Sequence, residues 1–156
     1  MLILIGESGC GKTTIANYLE KLGLTQIQSY TTREPRYEGE VGHTFVSDAE
    51  FDKLENMIAY TEYDGHRYCA TADQARTHDV YVLDPNGVQN LQYDGECIFI
   101  RIVVSEEERI RRMLARGDTP ADVRRRIEVD REEFATIDDY LKDKKTFWVS
   151  PEVISL

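Results

Sequence analysis

The chain has little that would tie it together covalently or anchor it in a bilayer. Its three cysteines, Cys10, Cys69 and Cys97, lie too far apart to form a zinc-ligand pair, and an odd number makes a poor disulfide framework. A reducing, cytoplasmic setting is expected from that pattern. The opening apolar run "MLILI" stops at Gly6, with no basic start and no cleavage site, so neither a signal peptide nor a membrane span is expected. Basic residues are in deficit: Lys+Arg 19 against Asp+Glu 29 leaves a formal net charge of -10. Such a balance opposes general attraction to nucleic acid or anionic membrane. Phosphate binding, if present, must come from arginines gathered locally. Repeats, low-complexity stretches and linkers are absent, and 156 residues suit a single domain. A chain of that size buries roughly 70% of its unfolded surface, enough to fold without a metal or disulfide.

Met1–Ile5 reads as a strand buried on both faces, and "KTTIANYLEKLG" as a helix with Ile15, Leu19 and Leu22 at helical spacing and Gly23 as its stop. "DVYVLD" (79–84), "CIFIRIVV" (97–104) and, more weakly, "TFWV" (146–149) supply further strands. Ser105 with Glu108 predicts one helix start, ended by Gly117, and Thr119-Pro120 with Asp122 predicts another. The segment 41–70 has a different texture. Ser47 and Glu50 cap a short helix holding Phe51 and Leu54, and Asp64-Gly65 predicts a hairpin with a type I′ turn. The order of elements predicts an α/β fold with an insertion after the first helix.

"GESGCGKT" (6–13) fits G-x-x-x-x-G-K-[ST] between an apolar strand and an amphipathic helix. Gly6 and Gly11 let the backbone curl so that successive N–H groups face phosphate oxygens, and the helix N-terminus adds partial positive charge. Gly6, Glu7, Ser8, Gly9, Cys10, Gly11, Lys12, Thr13 and Thr14 are the expected nucleotide-binding residues. Lys12 would reach the β- and γ-phosphates, and Thr13 would ligate magnesium. Chance alone produces this pattern in roughly one chain of this length in a few hundred. Asp84, at the end of an apolar strand, would emerge at the carboxyl edge of the sheet. It is either a second magnesium-holding residue or a turn residue before Pro85.

"SYTTREPR" (29–36) sets Arg33 and Arg36 beside several hydroxyls, a composition suited to a phosphate monoester. Together with "GESGCGKTT", "GEVG", "TFVS", "DGHRYCAT" and "VLDPNGV", this stretch resembles the guanylate kinases, in the same order and over nearly the whole chain. The resemblance implies a P-loop NTPase-type parallel sheet flanked by helices, with a monophosphate-binding insertion and a helical lid. Its limits would be core 1–27, 75–111 and 127–156, insertion 28–74 and lid 112–126. It also implies an ATP-dependent, magnesium-assisted kinase whose acceptor is a nucleoside monophosphate, GMP or dGMP foremost, with nucleic acid and membrane no part of its business and oligomeric state open. Ser29, Arg33, Arg36, Tyr68 and Asp84 would hold the acceptor. Among the crowded arginines Arg112, Arg116, Arg124, Arg125 and Arg126, the resemblance picks Arg116 and Arg126 as catalytic with Lys12. Ala59, Ala70 and His43 stand where the family places a glutamate, a hydroxyl and a tyrosine. Strand alternation puts Glu62 on the face opposite Ala59 unless a bulge intervenes. Two alternatives stay open: the same fold acting on another base, and an inactive module that binds phosphopeptides.

Overall fold

A computed structural model describes residues 1–151 and contains two four-stranded sheets. The first holds β1 (Leu2–Ile5), β6 (Val80–Val82), β7 (Ile98–Ile102) and β8 (Thr146–Val149) in the order β6-β1-β7-β8, every pair parallel. Parallel strands are covered on both faces, which is why β1 is apolar throughout: Ile3, Leu4 and Ile5 are completely buried. Each contributes about 1.5–3 kcal/mol by leaving water. The weakest strand expectation, "TFWV", is an edge strand, with Phe147 and Trp148 half exposed.

The second sheet holds β2 (Ser29–Thr31), β3 (His43–Phe45), β4 (Met57–Tyr63) and β5 (His66–Thr71) in the order β3-β2-β5-β4. β4 and β5 form the expected hairpin, and Asp64 and Gly65 at its tip both have positive φ, as a type I′ turn requires. A bulge interrupts the ladder between Ile58 and Thr61, with Ala59 at φ 52. It does not bring Glu62 round to Ala59's side. Glu62 stays on the outer face, where it accepts a hydrogen bond from the Tyr60 hydroxyl at 2.6 Å and stands opposite Arg67.

Helices fill the intervals: α1 (Lys12–Lys21), α2 (Asp48–Asp52), α3 (Ala72–Thr77), α4 (Pro85–Gln89), α5 (Glu106–Ala115), α6 (Pro120–Glu133) and α7 (Ile137–Leu141). On α1, Ile15 and Leu19 pack against the core as their spacing predicts, but Leu22, the residue after the helix, is 62% exposed. α5 and α6 form a helical hairpin that packs through Met113, Val123 and Ile127. The expected lid limits, 112 and 126, fall inside these two helices. Among the described residues, no helix is long and apolar enough to cross a membrane.

Candidate functional site

From α2 to α6 every helix begins with a side-chain cap: Ser47, Thr71, Asp84, Ser105 and Thr119 each accept a backbone N–H. α1 begins at Gly11, φ 98, with no side-chain cap, so its first N–H groups remain available at the carboxyl end of β1. Gly6 is required there by close approach, since a Cβ would strike the Cys10 sulfur and lie 3.0 Å from the Ile102 carbonyl oxygen. The loop opens onto a cavity of about 810 Å³. Six of the nine expected nucleotide-binding residues line it: Ser8, Gly9, Gly11, Lys12, Thr13 and Thr14. Gly6, Glu7 and Cys10 do not. Glu7 turns back to form a two-pronged ion pair with Arg101 at 2.8 and 2.9 Å, and Cys10 is fully buried beneath the loop. The Lys12 ammonium lies across the loop's own carbonyls, donating to Gly6 O and, at 3.1 Å, to Glu7 O.

The helical hairpin supplies the cavity's other wall with Arg112, Arg116 and Arg126. Arg112 is held by Glu108 at 3.0 Å and by the Cys10 carbonyl at 3.3 Å. Arg116 is forked onto Asp118 at 2.9 and 2.7 Å, and that hydrogen bonding lowers the pKa of the Asp118 carboxyl. Arg124 and Arg125 face elsewhere. Arg124 lines an outer groove between α5 and α6, and Arg125 pairs with Asp122 at 3.0 Å.

A second cavity, of about 240 Å³, opens where β6 ends beside the second sheet. Ser29, Tyr68 and Asp84 line it, as do His43, Ala59, Thr61, Tyr63 and Tyr81. β1 and β6 are parallel neighbours, so the loop after β1 and Asp84 after β6 share one edge of the sheet, where open α/β folds bind ligands. The two residues expected to share magnesium thus line different cavities. Asp84 also caps α4 through Gly87 N at 2.7 Å, which commits one of its oxygens. Ala70 is fully buried in the core and does not line this cavity.

Arg33 and Arg36 do not line this cavity, although Arg33 stands beside Tyr68, which does. Glu40 explains their placement. Its carboxylate takes a fork from Arg33 at 2.9 and 3.3 Å and the Arg36 backbone N–H at 2.7 Å, folding 33–40 into a closed loop. Arg33's hydrogen bonds, led by those to Glu40, hold the Glu40 carboxyl down at about 2. They also raise the guanidinium's own pKa, with the Tyr68 hydroxyl contributing in the same direction. His43 bonds Ser29 Oγ at 2.9 Å and stands edge-on to Phe45 and Tyr68. Burial and then the Arg33 charge lower its pKa.

Sequence reasoning did not single out Glu40, Arg101, Arg109 or Asp130. Glu40 was visible only as part of "GEVG". Arg101 lies inside an apolar strand, and Arg109 and Asp130 sit in helical runs of charge, where nothing distinguishes a buried ionic side chain from a solvated one.

The AAA domain family matches residues 2–134. The chain is 30% identical over 155 residues to a guanylate kinase of Syntrophus aciditrophicus, covering 89% of this chain and 74% of that one. It is 31% identical over 173 residues to a guanylate kinase of Helicobacter pylori, covering 99% and 84%. A crystal structure of guanylate kinase from Anaplasma phagocytophilum superposes with a TM-score of 0.64 at 22% identity, over 98% of this chain and 77% of that one. A phosphate loop facing one arginine-walled cavity, a smaller pocket on the same sheet edge, and relatives of that kind over most of its length make this chain a member of the guanylate kinase family.

Proposed function

We propose that the chain is an ATP-dependent guanylate kinase, moving the γ-phosphoryl group of ATP onto GMP or dGMP. The observation that carries this reading is the pair of cavities on one sheet edge, one walled by the phosphate loop and arginines, the other lined by Tyr68 with Arg33 beside it. ATP fits the first. The uncapped N-terminus of α1 and the positive-φ glycines Gly9 and Gly11 give a nest of N–H groups for its phosphates, and Lys12 exchanges the loop carbonyls for phosphate oxygens. Thr13, in the first turn of α1, suits magnesium, an ion that takes few protein ligands and several phosphate or water oxygens. When bound, magnesium offsets charge on the transferring group.

GMP occupies the second cavity. Arg33, held by Glu40, and the exposed Arg36 receive its phosphate with Tyr68. Ser29 and the uncommitted oxygen of Asp84 meet its base. Asp84 thereby takes over a carboxylate role that Ala59 cannot fill, and we assign it to the acceptor in preference to the metal. Arg116 and Arg126 neutralise charge spread over the transferring phosphoryl group. The acceptor phosphate is already an anion, so positioning and charge neutralisation replace a general base. Closure of the hairpin 112–126 and the insertion 28–74 over the core excludes water and suppresses idle ATP hydrolysis.

The test is ATP-dependent ADP release measured against a panel of ribo- and deoxynucleoside monophosphates. Turnover concentrated on GMP and dGMP is expected. Turnover on another base would redirect the acceptor assignment, and ATP binding without turnover on any acceptor would refute the kinase reading.

A further inference from the structure

Three consecutive residues of the phosphate loop are each gripped from behind by a different element. Glu7 is forked onto Arg101 of β7. Gly9 presses on α5 so closely that a Cβ would lie 2.9 Å from the Arg109 carbonyl oxygen. Ser8 belongs to α6: its backbone N–H donates to Asp130 Oδ2 at 2.9 Å and its hydroxyl reaches Asp130 Oδ1 at 3.3 Å. Asp130 is 7% exposed, and the equally buried Arg109 stands 3.5 Å from it while bonding the Val104 and Ser8 carbonyls at 3.2 and 3.4 Å.

A carboxylate behind an anion-binding loop opposes phosphate binding unless something offsets it. Here Arg109 does so, leaving the carboxylate to act as an acceptor. Ser8 presents two donors and Arg109 a third, and the two carboxylate oxygens of Asp130 accept from all three. Asp130 also lies one helical turn beyond Arg126, on the same side of α6, and Arg126 lines the nucleotide cavity.

We propose that Asp130 is a positioning residue for phosphoryl transfer, pinning α6 to the phosphate loop so that one contact sets both the loop's curve and the place of Arg126 over the nucleotide. This rests on the kinase reading above. It adds to it a specific link between the lid's second helix and the loop.

Asp130→Asn tests it, because it keeps the size of the side chain while turning one acceptor into a donor. ATP affinity is measured by calorimetry for wild type, Asp130→Asn, Arg126→Ala and the double variant, with melting curves and acceptor KM at saturating ATP alongside. Asp130→Asn is expected to stay folded, to weaken ATP binding roughly tenfold, and to leave acceptor KM within about twofold. The double variant should lose less than the product of the two singles, since part of what Asp130→Asn removes is the placement of Arg126. ATP affinity unchanged in Asp130→Asn, an equal rise in KM for both substrates, or a double variant equal to the product would each overturn the proposal. A wild type that binds no ATP would instead remove the reading on which it rests. Should Asp130→Asn fail to fold, amide exchange in the wild type decides. The Ser8 amide is expected to be protected without nucleotide, and exchange at the rate of a free loop would overturn the proposal.

Discussion

Replacing Arg101 by methionine should damage this protein more than any surface charge change, and in a way that pH reverses. Arg101 is 3% exposed inside the parallel sheet. It donates to Glu7 twice, at 2.8 and 2.9 Å, to Asp138 at 2.8 Å and to the Ile102 carbonyl at 2.9 Å, with the Phe134 ring centroid 4.9 Å from its guanidinium carbon. Methionine fills the same space but leaves the Glu7 carboxylate without its partner. Removing one member of a buried pair costs about 3–5 kcal/mol. Asp138 is half exposed and can hydrate, so the lower end, about 3 kcal/mol, is the expectation here. For a chain of this length that lowers Tm by roughly 6–12 °C. Neutralising the stranded acid should restore much of the loss, so Arg101→Met with Glu7→Gln should unfold later than Arg101→Met alone.

The pH dependence is the sharper diagnostic. In the wild type burial pushes Glu7 up, but its hydrogen bonds with Arg101 and that charge outweigh burial and hold the carboxyl below its ordinary 4.5. Its contribution is therefore present above pH 4.5 and lost as pH falls through the lowered value. Without Arg101, burial leads and the carboxyl rises above 4.5. The variant should then gain stability on acidification toward pH 4.5 and lose it as pH climbs. Urea melts of both proteins from pH 4 to 8 should show the gap between them narrowing toward acid. A loss below about 1 kcal/mol, or a gap that stays constant with pH, would refute the reasoning.

Lys12→Ala should leave the melting temperature nearly unchanged and lower kcat by a hundredfold or more, on the order of losing a charged donor to the transferring group; steady-state ADP release checks this. Arg33→Ala should raise acceptor KM about tenfold or more while ATP KM holds, and Glu40→Gln should raise it by a smaller factor because Arg33 loses the fork that fixes it. A fall in acceptor KM for Glu40→Gln would mean that the ion pair competes with substrate instead of orienting the arginine. His43 has a lowered pKa, so the unfolded chain binds its proton more readily and stability should fall as pH drops through about 6.5. His43→Asn should flatten that part of the curve in thermal melts across pH 5–8.

Local patterns in the chain were enough for the elements whose cause is local. The strand-loop-helix at Leu2–Lys21 follows from an apolar run, glycines and a helical repeat within some twenty residues. The Asp64-Gly65 turn and the caps at Ser47, Ser105 and Thr119 follow from backbone preferences and side chains three positions away. A candidate site could be read where the residues stand together along the chain, as in "GESGCGKT" and "SYTTREPR". What the linear order could not carry was partnership across long separations. Ser8 with Asp130, Glu7 with Arg101 and Ser29 with His43 span 122, 94 and 14 positions, and each pairing exists only because the tertiary fold brings their elements together. The bulge at Ala59 likewise depends on β5, and Asp84 lines the smaller cavity because β6 ends beside the second sheet. Sequence determined which groups were candidates for binding phosphate; packing decided which of them face a cavity and which hold the others in place.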